Sequence, residues 1–171
     1  MRNELLFWES ALINNNPIRL RDDKAGASTA EYFANNQDEK LLICYEPEKA
    51  ESGCVHCDYL LVHKSMGGDA IRFIELKGGD VLPRKGEKLC TKGCPQTWAH
   101  AFHQLLATYE RCESYIDDND IVKMILCTSW EKNHKKPYAR YKQYTQYRAI
   151  REIKRFDIEP QILYCTCEDN I

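Results

Sequence analysis

The stretch "CDYLLVHKSMGGDAIRFIELKGGD", residues 57–80, holds two short apolar runs with acids placed at their ends. No other part of the chain limits the fold as tightly. "DYLLVHK" and "AIRFIELK" have the length and the aliphatic content of strands, and "SMGGD" between them carries the Gly-Gly-Asp signal of a tight connection. The pattern predicts an antiparallel hairpin. Residues two apart on a strand share a face, so Glu75 and Lys77 point one way and Leu76 the other. Asp58 opens the first run and comes within reach of Glu75 if the hairpin pairs their outer ends.

Two carboxylates brought together at the end of a sheet repel unless something neutralises them. A hard divalent cation such as Mg²⁺ or Mn²⁺ suits oxygen ligands and commonly takes one or two carboxylates, waters and substrate phosphate. Lys77 then projects beside that centre, where an ammonium stabilises developing negative charge. Charges that contradict a strand's burial pattern are expected at functional sites. The plainer alternative is a pair of strand-end charges, Glu75 and Lys77, that meet across solvent.

The rest of the chain supplies what would surround the hairpin. Residues 4–14, with Leu5, Trp8, Leu12 and Ile13 at helical spacing, predict a first helix. "STAEYFANN" predicts a second, short one, capped by Ser28 or Thr29 with Glu31 in its first turn. "KLLICY" at 40–45 reads as a strand. Residues 78–95 are rich in glycine and lysine and form a long loop insertion. Trp98, Ala101, Phe102, Leu105, Leu106 and Tyr109 give one wide apolar face to a helix over 96–116. "IVKMILCTS" at 121–129 has the length of a central strand, and a helix over about 143–155 and a strand at 161–166 follow. The order α-β-β-β-α-β, then a helix and a strand, predicts an α/β domain with a mixed central sheet flanked by helices. At 171 residues, 43% hydrophobic and 29% charged, the chain suits a single domain, 1–171, and not a disordered one.

"CDYLLV", "FIELKGGDV" and "AFHQLLATYE", taken together, resemble the PD-(D/E)xK nuclease superfamily, the restriction-endonuclease-like fold. The resemblance covers roughly residues 28–130. It implies a metal-dependent nuclease that hydrolyses phosphodiester bonds, DNA before RNA, with Mg²⁺ or Mn²⁺ as cofactor. By position, Asp58 and Glu75 would be the metal-binding acids, the Leu76 carbonyl a further ligand and Lys77 the catalytic lysine. Gln104 would match the helix glutamine that several families place at the active site. Glu31 would match the glutamate of the first core helix, which some members use on metal-bound water. Cys57 stands where the name-giving motif has proline. A solvent-facing role for Gln104, and a helix-dipole role for Glu31, are the structural alternatives. Enzymes that cut duplexes often act as dimers, so a homodimer or a partner subunit stays open.

The nine cysteines fit a reducing compartment. No uninterrupted apolar leader begins the chain, and no apolar run approaches the roughly 20 residues that span a bilayer. The expectation is a cytoplasmic protein without membrane contact, and one without a disulfide framework. Cys44 and Cys127 sit inside apolar runs as small buried hydrophobes. Cys54 and Cys57, with Cys90 and Cys94, could hold a structural Zn²⁺, whereas unrelated thiols account for the same residues. His100 and His103 share a helix face without a ligand-rich partner motif; one exposed and one boundary residue is the expectation.

A formal charge of −2 conceals an asymmetry, because nine basic residues and a single acid, Glu152, fall between Lys132 and Arg155. Tyr138, Tyr141, Tyr144 and Tyr147 recur there among basic side chains. Lys135, Lys136 and Arg140 could contact phosphates while Tyr138 and Tyr141 stack on bases, as nucleic-acid binding requires. Arg84, Lys85, Lys88 and Lys92 make a second basic cluster. A solvated helix face explains the same charges, and the later tyrosines can serve as its buried side. A non-catalytic module binding nucleic acid or protein on the same fold, with or without zinc, is the alternative function.

Overall fold

The computed structural model describes residues 8–13, 17–21, 30–35, 42–47, 54–77, 98–128, 148–164 and 169–170. Their strands are β1 (Trp8–Ile13), β2 (Ile18–Arg21), β3 (Glu31–Asn35), β4 (Leu42–Pro47), β5 (Tyr59–His63), β6 (Ala70–Lys77), β7 (Ile121–Thr128), β8 (Gln161–Tyr164) and β9 (Asp169–Asn170). The helices are α1 (Trp98–Cys112), prolonged by a 3₁₀ turn at Glu113–Tyr115, and α2 (Arg148–Arg155).

A six-stranded mixed sheet runs in the order β1-β4-β5-β6-β7-β8. From β1 to β6 neighbours are antiparallel, and β6, β7 and β8 are parallel. Parallel neighbours need a crossover, and α1 and α2 lie on the two crossovers. Alternation along each strand sorts the core into two layers. Leu60, Val62, Ile71, Phe73, Met124 and Leu126 pack with Phe102 and Leu105 of α1 and with Ile150 and Ile153 of α2. On the other face Leu61, Ile74, Leu76, Ile125 and Cys127 pack with Ile18, Leu20, Tyr32 and Ala34. Those last four belong to a second sheet of three strands, β2-β3-β9. Among the described residues the helices therefore cover one face of the main sheet and a small sheet covers the other.

The hairpin at 59–77, the strand at 42–47, the helix over 98–112, the strand at 121–128, the helix at 148–155 and the strand at 161–164 stand as expected. Residues 4–7, 28–29, 143–147 and 165–166 lie outside the described residues, as does the loop at 78–95. Two helices are corrected to strands. Residues 8–13 form the edge strand β1, where Trp8 is buried and Leu12 is 62% exposed. Trp8 packs into one core layer and Ile13 against the other, a spacing that a helix and a strand can share over so few residues, and pairing with β4 decides the outcome. Residues 31–35 alternate strictly, with Tyr32 and Ala34 buried and Glu31, Phe33 and Asn35 half-exposed. That period of two outweighs the Ser-Thr-x-Glu cap signal ahead of it.

Candidate active site

The site forms where β5 begins and β6 ends. The last residue pair of the hairpin is Tyr59 with Ile74, so one step further Asp58 stands opposite Glu75. There the backbone ladder stops and a side chain replaces it: the Leu76 N–H donates to Asp58 Oδ2 at 2.7 Å. In a strand the N–H and C=O of one residue leave by the same edge, so the Leu76 carbonyl also faces Asp58. The Leu76 side chain lies in the opposite core layer, beneath the small sheet.

Glu75 follows the Ile71 and Phe73 face and points toward α1. It is fully buried. Lys77 Nζ donates to its Oε1, while Glu75 Oε2 has no hydrogen-bond partner among the described residues. Burial above all, and then the Asp58 carboxylate, push the Glu75 acid up to about 8, against the opposing pull of Lys77. The ion pair is thus not one that meets across solvent, because its acid has no contact with water. Lys77 retains 18% side-chain exposure at the rim.

α1 lays a polar row along this end of the sheet. His100, Gln104 and Thr108 are spaced by four and share one stripe of the helix. Gln104 Nε2 donates to the His56 carbonyl at 3.0 Å, and its Oε1 is buried with no partner among the described residues. Thr108 Oγ1 accepts the Cys57 N–H at 2.7 Å and donates to the Gln104 carbonyl at 2.8 Å. His100, half-buried, is pushed down by burial and then by the positive charge of Lys77, which sets it beside the rim; His103 is exposed. Thr128 is fully buried, on the same face by alternation with Met124 and Leu126, and is the register partner of Lys77.

Asp58, Glu75, Lys77 and the Leu76 backbone are therefore brought together, and Gln104 reaches the same end of the sheet through the His56 carbonyl. Glu31 is not. It lies on β3 of the small sheet, not on a helix, and its carboxylate meets Arg21 at 3.2 Å and Arg19 at 3.9 Å. Tyr32 and Ala34 face the main sheet, so alternation turns Glu31 away, with the whole main sheet between it and Glu75. Its expected place among the metal ligands is withdrawn.

The thiols separate by environment. Cys57 is fully buried; its Sγ donates to the Tyr59 carbonyl at 3.3 Å, and burial pushes its pKa well above the ordinary value, with Glu75 adding to the effect. A zinc ligand must be a thiolate, and this pocket favours the thiol. Cys54 is exposed. Cys90 and Cys94 lie outside the described residues, as do Lys85, Lys88, Lys135, Lys136, Tyr138, Arg140 and Tyr141.

Among the described residues no group of three or more His, Cys, Asp or Glu side chains could hold a metal ion. A cation here would depend on two carboxylates completed by the Leu76 carbonyl, the Gln104 amide oxygen and water. The donors are all oxygen, and two of them, Glu75 Oε2 and Gln104 Oε1, are buried acceptors without a donor among the described residues. That set fits a hard divalent cation. Sequence reasoning missed Thr108, Thr128 and the His56–Cys57 backbone. The H-x-x-x-Q-x-x-x-T row beside the apolar face of α1 was the available signal for Thr108. Among the described residues no helix is long and apolar enough to cross a membrane. Comparison of the chain with known protein families, with characterised proteins and with solved structures found no match.

Proposed function

We propose that the chain is a divalent-cation-dependent nuclease that hydrolyses phosphodiester bonds, DNA in preference to RNA, on a restriction-endonuclease-like core. One observation carries this reading: Asp58, Glu75, Lys77 and Gln104 converge at the carboxyl end of β6, with two buried oxygens left as open acceptors. The strands and helix that bring them together, β5-β6-α1-β7, support the finer fold assignment. Asp58, Glu75, the Leu76 carbonyl and Gln104 Oε1 would hold Mg²⁺ or Mn²⁺. When bound, such a cation neutralises phosphate charge and acidifies the water that attacks the phosphorus.

The chain's own residues do the remaining work. Asp58 ties the start of β5 to β6, so the two acids keep a fixed separation. Glu75, without access to bulk water, holds a proton that a cation would displace, and its carboxylate would then act in a low dielectric, where electrostatic contacts are strong. Lys77 spans from that acid to the solvent rim, and its ammonium stabilises negative charge on the phosphoryl oxygens as they develop it. His100 borders the same rim. The acids would repel a polyanion by themselves, so an approach by nucleic acid relies on basic side chains around the site.

The test is a cleavage assay of wild type and Glu75→Ala against plasmid, single-stranded DNA and structured RNA, in Mg²⁺, Mn²⁺ or EDTA. Metal-dependent cutting of DNA that Glu75→Ala abolishes is the expected result. Undiminished cutting by folded Glu75→Ala protein refutes the assignment, and cutting of RNA alone refutes the substrate preference.

A further inference from the structure

We infer that Thr108 is a positioning residue: with Gln104 it clamps the single peptide unit that joins His56 to Cys57, and so sets where the Asp58 carboxylate and the Gln104 amide oxygen sit. This rests on the proposed role of Asp58 and Glu75 in holding a cation.

The peptide between residues 56 and 57 precedes β5, so the sheet ladder satisfies neither of its polar groups. Buried backbone groups must find partners elsewhere. Here both come from the same stripe of α1. Gln104 Nε2 takes the oxygen end at 3.0 Å, and Thr108 Oγ1 takes the N–H end at 2.7 Å. A peptide plane held at both ends cannot rotate, and Asp58 follows it directly after Cys57. Its carboxylate then meets the Leu76 N–H at 2.7 Å.

The clamp also decides which way Gln104 faces. Only the amide nitrogen can donate to the His56 carbonyl, so that contact fixes the orientation of the group. Oε1 is left as the buried acceptor. Thr108 is itself fixed by the helix, because its hydroxyl proton goes to the main-chain carbonyl of Gln104 at 2.8 Å. The hydroxyl therefore acts as acceptor for one partner and donor for the other. Thr108 is 1% exposed, and water from outside cannot take over either bond.

Thr108→Val keeps the shape and removes the hydroxyl, whereas Thr108→Ser keeps the hydroxyl. Two quantities are read in the full chain: the affinity for Mn²⁺ alone by calorimetry, and the exchange rate of the Leu76 amide by NMR. Residues that orient metal ligands typically contribute about 10–100-fold to affinity. Thr108→Val is expected to weaken Mn²⁺ binding by about that factor and to speed Leu76 exchange about tenfold or more, with Thr108→Ser within about threefold of wild type in both. Thr108→Ala takes the place of Thr108→Val if the latter does not fold at the working temperature. Wild-type Leu76 protection in the hydroxyl-free variants overturns the clamp, whatever the melting temperature does. Unchanged Mn²⁺ affinity in the face of a loosened Leu76 amide overturns its link to the cation site. If wild type binds no Mn²⁺, the cation reading fails, and the Leu76 amide still judges the clamp.

Discussion

Asp58 closes the hydrogen-bond ladder of its neighbouring strand: its Oδ2 accepts the Leu76 N–H at 2.7 Å, in the place where a backbone carbonyl of β5 would otherwise be. One carboxylate thus serves both the sheet and the site. The two functions separate by substitution. Asp58→Asn keeps an acceptor for Leu76 and removes the charge; Asp58→Ala removes both.

Asp58→Asn is expected to hold stability within about 0.5 kcal/mol of wild type, whereas Asp58→Ala loses about 1–3 kcal/mol in urea denaturation, the range for a deprived buried donor. Asp58→Asn also removes the like charge beside Glu75, so the Glu75 acid moves down toward its ordinary value in an NMR titration. Equal stability of the two variants would show that the Leu76 bond contributes nothing.

Glu75 makes stability depend on pH in a definite direction. Its acid stands at about 8 in the fold against 4.5 ordinarily, chiefly through burial. Between those values the unfolded chain has released the proton and the folded chain has kept it. Stability therefore falls as pH rises through this window, and the cost is complete above it. Glu75→Gln, measured in EDTA, is expected to raise the melting temperature by several degrees at pH 8.5 and by much less at pH 5. A difference that is the same at both pH values would contradict the placement of this acid.

The fold was most legible where the apolar pattern was long. Phe102, Leu105 and Tyr109 repeat over about two turns, and Met124 to Cys127 sit in an unbroken β-rich run, so α1 and β7 were evident from the residues alone. The β5–β6 hairpin announced itself through its glycine turn, and with it Asp58, Glu75 and Lys77. β1 and β3 were read as helices because five- and six-residue segments hold too few inward positions to fix a period; their partners β4 and β2 decide it. β9 could not be read at all, since Asp169 and Asn170 disfavour strands and pair with β3 only through a contact across most of the chain. The Thr108 clamp was hidden for a similar reason. It joins a helix hydroxyl to a backbone group 51 residues away, and backbone partners leave no trace in side-chain patterns.

Asp169 provides a prediction about the contact between the two sheets. Its carboxylate receives Arg72 Nε at 2.8 Å, the Tyr32 hydroxyl at 2.8 Å and Lys123 Nζ at 3.5 Å, between the two sheets. Arg72 and Asp169 are both nearly inaccessible. Removing one partner of a buried ion pair strands the other charge, at a cost of about 3–5 kcal/mol. Asp169→Asn is expected to lower the stability from urea denaturation by that amount, and a loss below 1 kcal/mol would contradict the network.

The described cysteines should differ sharply in reactivity. Cys54 is exposed, whereas Cys44, Cys57, Cys112 and Cys127 are buried. Burial pushes the Cys44 thiol up to about 12 and raises that of Cys57 as well, and only the thiolate reacts. Brief alkylation of the native protein at pH 8, followed by peptide mass spectrometry, is expected to label Cys54 and to spare these four. Early labelling of Cys57 would mean that the wall beside Glu75 is open.

The most direct test of the Asp58–Glu75 carboxylate pair as a cation site is calorimetric titration of Mn²⁺ into wild type and Glu75→Gln at pH 7, in buffers of different ionisation enthalpy. One Mn²⁺ per chain should bind wild type and release a proton, because the cation displaces the one that burial holds on Glu75, and Glu75→Gln should lose both the binding and the release. Equal binding by Glu75→Gln, or binding to wild type without proton release, would contradict the assignment of Glu75 as the ligand.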